Sequence, residues 1–293
     1  MNKFAFILLT AALLTSCSGK EEMSDAYGNF EVDKTMISAE VAGRLLKFDI
    51  EEGDILKAGT VIGQIDTMQL HYKKEQLQAN LASLQSGFAD IDAQMAVASQ
   101  HLDNLLVNQK RVHKMFTAGA ATQKQMDDID GQVLLARKQL DAVNTGRQTL
   151  SNKIKAVRNQ LNELNYTIAK STVINPVDGT VLTKLTMENE VVAPGKPLYA
   201  IGNLSKIKLK VYVDGNMLPK VKLGNKATVL VDDGNGGLRK LSGKIIWISS
   251  TAEFTPKTIQ TREERVNLVY AVKILVDNDG SLKIGMPGEV NFR

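Results

Sequence analysis

The chain has 293 residues, 43% of them apolar and 23% charged, with a formal net charge of +4. That length suits two or three modest domains, and that composition a folded rather than a disordered protein. The positive charge is spread out, with no basic run interleaved with aromatics, which argues against nucleic-acid binding; 5% aromatic residues argue against a large aromatic ligand groove.

Residues 1–16 read as a lipoprotein signal peptide. Lys3 supplies the positive start, and Phe4 to Leu14 is apolar but too short to span a bilayer as a helix. Leu14-Thr15-Ser16-Cys17 then resembles a lipobox, and Cys17 is the one cysteine of the chain. The expectation is that Cys17 becomes the acylated first residue of the mature protein. The alternative is a lone structural thiol in an ordinary cleaved signal. With one cysteine there is neither a disulfide framework nor a thiolate metal site. Residues 17–36 are expected as a lipidated tether and a first strand, with Ser18 to Asn29 polar and tether-like.

Residues 37–66 alternate short β-type runs with Gly turns. A helical region follows over 67–170, free of proline and patterned in heptads. One series runs Leu77, Leu84, Ile91, Ala98, Leu105, Val112; the interleaved one runs Leu81, Phe88, Met95, Leu102, Gln109, Phe116. After Gly119 the frame changes. Met126, Val133, Leu140, Arg147, Ile154, Leu161 and Ile168 then alternate with Ile129, Ala136, Val143, Leu150, Val157 and Leu164. Alternating spacings of 3 and 4 are the seam of a coiled coil. Only Gln109 and Arg147 break it.

The turn is written locally. Lys110, Arg111, His113 and Lys114 suit a helix C-terminus, and Gly119 suits the left-handed position beyond it. Thr122 and Gln125 form a capping box for the next helix, with Asp127 and Asp128 close behind. A stop and a start this close predict an antiparallel hairpin; a long parallel dimeric coiled coil is the alternative. Pairing residue x with about 238 − x sets Arg147 near Ile91, between Asp90 and Asp92. Snorkelling of Arg147 to water is the competing expectation.

Residues 171–204 repeat 37–66 at a constant offset of 136. Val41-x-Gly43 matches Val177-x-Gly179, Leu46 matches Leu182, and Glu52 matches Glu188. Gly59 matches Gly195, Ile62 matches Leu198, and Ile65 matches Ile201. A copy of about 30 residues is too small to hold a core alone. Two copies brought together by the returning hairpin can close one small sandwich.

The runs Val41-Ala42-Gly43-Arg44-Leu45-Leu46, Glu51 to Gly59, and Asn175-Pro176-Val177-Asp178-Gly179-Thr180-Val181 resemble the two halves of a biotinyl/lipoyl-type domain. Such a fold split by a helical hairpin and followed by a β-barrel resembles the HlyD-type membrane-fusion (periplasmic adaptor) family over essentially the whole mature chain. The implied fold class is α+β and multidomain: a split lipoyl/biotinyl-type β-sandwich interrupted by a long antiparallel coiled-coil hairpin, then a small β-barrel at 205–293. The rival from an enzyme class is a biotin or lipoate carrier. Carriers hold their modifiable Lys at the tight turn joining the halves, which here is replaced by the helices, with Lys73 and Lys74 on the first of them.

In the last region the period becomes 2, with Ile207, Leu209, Val211 and Val213 alternating with Lys206, Lys208, Lys210 and Tyr212. Further strand-like runs are Ala227–Val231, Lys244–Ser249, Leu268–Val276 and Glu289–Phe292. Asp232 to Gly237 reads as a hairpin loop rather than a cation site, since the twelve-residue spacing and final Glu of an EF-hand are missing. Leu218 to Gly224 resembles the short helical turn of adaptor barrels. Phe254-Thr255-Pro256-Lys257, Gln260 to Arg265 and Gly285-Met286-Pro287-Gly288 resemble adaptors of ABC-type exporters. The chain stops soon after Gly288, which leaves little sequence for the larger membrane-proximal domain of adaptors for RND pumps.

No Walker A motif, Gly-x-Ser-x-Gly elbow or His-Glu-x-x-His pair is present, and His71, His101 and His113 all fall on the first helix. The expectation is therefore no enzyme, and no cofactor apart from the lipid on Cys17: no lipoate, biotin or metal. The resemblance implies a periplasmic adaptor, lipid-anchored at the inner membrane and hexameric. It would join an inner-membrane transporter, ABC-type before RND-type, to a TolC-type outer-membrane channel. It also implies a docking tip, an Arg, an apolar residue four on, and a Ser or Thr eleven on from the Arg; Arg111, Met115 and Thr122 occupy those places, with Met for the usual Leu and Thr for the usual Ser. A lipoprotein spacer with no transport role is the remaining alternative.

Overall fold

The computed structural model describes residues 24–234, 236–254 and 268–292. Cys17 and most of the run from Phe254 to Arg265 lie outside them. Strands β1 (Ala26–Glu31), β2 (Thr35–Ser38), β3 (Gly43–Phe48), β4 (Ile55–Leu56) and β5 (Val61–Ile65) precede helix α1 (Met68–Thr117). Helix α2 (Gln123–Ala169) follows, then β6 (Thr172–Ile174), β7 (Gly179–Lys184), β8 (Val191–Val192) and β9 (Pro197–Gly202). The rest is β10 (Lys206–Asp214), β11 (Lys226–Asp232), β12 (Leu238–Ile248), β13 (Glu253–Phe254), β14 (Leu268–Asp277) and β15 (Pro287–Asn291). The chain is α+β and its described residues divide into two compact units, one built of residues 36–177 and 183–200, the other of the remaining described residues.

In the first unit the two helices form one antiparallel hairpin, which removes the parallel-dimer alternative. At about 1.5 Å per residue the arms are roughly 70–75 Å long. Every expected seam position on α1 is half-buried. On α2 the buried residues are Ile129, Val133, Ala136, Ile154, Val157, Leu161 and Leu164, all of them seam positions. Arg147 is the one seam position left exposed. A helix pair covers only one stripe of each helix, so α1 has no fully buried residue and Val97, Val107, Leu134 and Leu135 remain exposed. No helix among the described residues is long and apolar enough to cross a membrane.

The strands flanking the hairpin form two four-stranded sheets, β2-β9-β7-β4 and β6-β5-β3-β8. Exchanging each strand for its partner in the repeat turns one order into the other, so the duplication is structural as well as sequential. Ala39 N donates to Lys196 O at 2.9 Å, and the repeat-related Asn175 N donates to Thr60 O at 2.8 Å. Gly59 and Gly195 both take φ of +87°, a left-handed turn conformation that favours glycine. A Cβ on Gly43 would stand 2.7 Å from Ile65 Cγ2, and one on Gly179 would stand 3.0 Å from Ile201 Cγ1. The spacing of Val-x-Gly to Ile in each copy therefore reflects one close contact made twice.

In the other unit six antiparallel strands close into a barrel in the order β10-β1-β15-β11-β12-β14, with β14 pairing back to β10 and β13 added beside β14. Its interior is filled by Phe30, Ile207, Leu209, Val211, Val213, Val229, Ile245, Ile274 and Val290. The period-2 run on β10 is thus the inner face of the barrel. One expectation is corrected: the tether does not extend to Asn29, because Ala26 to Glu31 is β1, paired with both β10 and β15. The strand reads as polar because only Ala26 and Phe30 face inward and Gly28 lies close against β10. A Cβ on Gly28 would be 1.8 Å from Lys210 O.

Candidate functional site at the hairpin tip

The turn between α1 and α2 is closed by backbone geometry. Ala120 N donates to Met115 O at 2.8 Å and Gly119 N to Phe116 O at 2.9 Å, with Gly119 at φ +73°. This pair of bonds is the Schellman motif, which satisfies carbonyls that the ending helix leaves open. Thr117 Oγ1 also donates to Lys114 O. Thr122 then begins α2 through a complete capping box. Its Oγ1 accepts from Gln125 N at 3.3 Å, and Gln125 Oε1 accepts from Thr122 N at 2.8 Å. The first turn of α2 holds no acidic residue. Asp127, expected at the helix start, sits one turn further on, where it accepts from Gln123 Nε2 at 2.8 Å.

Of the three tip residues that the family resemblance implies, Arg111 and Met115 are one helical turn apart on α1, on a face separate from the seam residues Val112 and Phe116. Both are exposed, Met115 at 42%. Arg111 has no hydrogen-bond or ion-pair partner among the described residues. Thr122 is exposed across the turn, but its hydroxyl is occupied by Gln125 within the cap. The tip therefore presents a free guanidinium and a flexible apolar side chain side by side on a rigid helix end.

Beside them lies a polar cluster that sequence reading treated as separate residues. Gln109 Nε2 donates to Asp130 Oδ1 at 2.7 Å, and His113 Nε2 lies 3.0 Å from the same oxygen. The Gln109 hydrogen bond, then the His113 one, hold the Asp130 carboxyl below the usual carboxylate range. Gln109, Lys110, His113, Lys114 and Thr117 line a shallow hollow of about 380 Å³ here. The hairpin register contained the signal: 238 − 109 falls at 129, next to Asp130. The same register correctly set Arg147 opposite the acidic pair. Its Nε donates to Asp92 Oδ1 at 2.9 Å, and its guanidinium stands 5.6 Å from the Phe88 ring centroid. Both polar seam positions are thus paired across the hairpin. Among the described residues, no group of three or more His, Cys, Asp or Glu side chains could hold a metal ion.

No family model matches the chain. The UPF0194 membrane protein YbhG of Salmonella gallinarum is 28% identical over 301 residues, covering 91% of this chain and 87% of the relative. The crystal structure of MacA from Actinobacillus actinomycetemcomitans superposes with a TM-score of 0.61 at 21% identity, covering 92% of this chain and 78% of MacA. A MacA-MexA chimeric protein containing the Pseudomonas aeruginosa MexA α-hairpin domain gives a TM-score of 0.54 at 19% identity, covering 92% and 82%.

Proposed function

We propose that this chain, whose fold is that of MacA, is a membrane-fusion (periplasmic adaptor) protein and the adaptor subunit of a tripartite export pump. It would couple an inner-membrane transporter to a TolC-type outer-membrane channel, held at the inner membrane by acylated Cys17. The observation that carries this reading is the hairpin tip: arms of roughly 70 Å that end in an exposed, unpartnered Arg111 beside an exposed Met115. A rigid arm of that length suits reach across an aqueous gap, and a guanidinium offers directed donors to carbonyls or carboxylates of a partner.

An ABC-type transporter is favoured by the sequence likeness at Phe254 to Lys257 and at Gln260 to Arg265. It is favoured too by the likeness at Gly285 to Gly288. We further infer that the two small sheets make a lipoyl-type sandwich; their internal two-fold relation supports this. Lys73 and Lys74 lie within α1 rather than at a turn between the halves, so an intact mass without lipoyl or biotinyl adduct is expected.

Arg111→Asp tests the docking role. Export and association with the channel should be lost, while the thermal midpoint and ring assembly stay within the small range of a surface change, about 0.5 kcal/mol. Normal export by the variant, or loss only through melting of the hairpin, would overturn the assignment.

A further inference from the structure

At one end of the barrel, its lip, the lysines have no carboxylate partner among the described residues, whereas three on the barrel wall do. On the wall, Lys208 pairs with Asp33, Lys273 with Glu31, and Lys210 lies 3.9 Å from Glu253. On the lip, Lys220, Lys222 and Lys226 are exposed and have no carboxylate partner among the described residues. Lys226 also stands directly across from Lys244 in the β11–β12 ladder, and both are exposed and unpaired. Like charges opposite each other destabilise a sheet unless something neutralises them. Between these cations Leu223 is 67% exposed. Of the described acids at this end, Asp25 accepts from Phe292 N, Glu289 accepts from Ser24, Glu253 faces Lys210, and Asp214 makes no ion pair. None of these acids forms an ion pair with Lys220, Lys222, Lys226 or Lys244.

Strand register fixes which end this is. Ala26 at the start of β1 pairs with Val290, Val290 pairs with Val229, and β11 begins just before, at Lys226. The lip and the N-terminal entry of the chain are therefore at the same end of the barrel. Ser24 and Asp25 are already bonded to β15. Only six residues, Ser18 to Met23, separate Cys17 from that attachment. However they are arranged, they reach at most about 25 Å. The far end of the barrel, at Lys206, is a further strand of nine residues away, about 30 Å.

From this juxtaposition we propose that the lip formed by Lys220, Lys222, Leu223, Lys226 and Lys244 rests on an anionic phospholipid surface. The lysines would sit among lipid phosphates, with Leu223 entering the interface. Unpaired lysines flanking an exposed leucine suit such a surface, since lysine stems can lie along the apolar boundary while their charges stay in water. The proposal rests on the reading of Cys17 as acylated, which sets the lip within reach of the membrane.

The test uses the full lipidated chain in two kinds of vesicle, phosphatidylglycerol with phosphatidylethanolamine, and phosphatidylcholine alone. An amine-reactive label is read by mass spectrometry. With phosphatidylglycerol, Lys220, Lys222 and Lys226 should each label about fivefold more slowly than with phosphatidylcholine. Lys153 and Lys155 on α2 should label alike in both. Added salt should erase the difference, as should Lys220→Glu with Lys222→Glu. Flotation separates the two ideas. A chain that floats with both vesicles but labels equally overturns the lip and leaves the anchor standing; a chain that floats with neither overturns both. Protection that is equal in the two lipids, or that appears in concentrated detergent solution, overturns the proposal in favour of an apolar contact or a second copy. Protection that needs another membrane protein also overturns it.

Discussion

At the scale of single residues, the buried polar side chains among the described residues all have partners. Tyr199 is fully buried and donates to Asn175 Oδ1 at 2.8 Å; Asn175, also buried, donates to the carbonyls of Lys57 and Val177. Burial pushes the Tyr199 hydroxyl up to about 12, so it remains a donor at every physiological pH. Asp130 makes a pH prediction. Its folded carboxyl titrates below its ordinary value of 3.8 because Gln109 and His113 favour the charged form. The contribution is therefore complete above that ordinary value and is lost as pH falls through the lower, folded one. Asp130→Asn should flatten the acid limb of hairpin melting, followed by helical circular dichroism, and change little at pH 7 in the slope with pH. An unchanged acid limb would show that the cluster stores no protonation energy.

At the scale of elements, each one is specified by a local rule and positioned by a partner. The capping box and Schellman turn fold the hairpin back on itself from a few residues. Strand β1 shows the opposite case, since its identity depends on what it lies between. Gly28 sits where a side chain would strike the Lys210 carbonyl. Gly28→Val should therefore prevent β1 from seating between β10 and β15, at a cost of about 3 kcal/mol or more in a well-packed site. The checks are a lowered denaturation midpoint and faster hydrogen exchange of the β10 and β15 amides. A variant of native stability would mean that the barrel closes without this contact.

At the scale of the whole molecule, we propose that adaptors of this kind act as rings, and the resemblance implies six copies. The anchor and the ring meet in one experiment. Cross-linking of membranes from producing cells should give a ladder reaching the hexamer. With Cys17→Ser the chain should leave the membrane fraction, or stay unprocessed, and the ladder should shrink. A variant processed and retained like the parent would remove Cys17 from the anchor; a parent that never passes monomer would remove the ring.

The sequence by itself determined the periodic parts of this protein. The heptad seam, the turn chemistry at Gly119 and Thr122, the duplicated half at offset 136 and the inner face of β10 all follow from repeats of 3.5, 136 and 2. Those are physical requirements repeated along the chain, and a single sequence displays them. The tertiary structure decided what depends on partners distant in sequence. Ala26 to Glu31 is a barrel strand because β10 and β15 flank it, and its short, glycine-containing run carries too few inward side chains to announce a period. Asp130 joined Gln109 and His113, and Lys226 came opposite Lys244, because hairpin and sheet registers set them together. At the tip, Arg111 and Met115 were pointed to by the family resemblance, but their exposure, and the absence of a partner for Arg111 among the described residues, are properties of the folded surface. A charge becomes available to another molecule only when the fold supplies it with no counter-charge of its own.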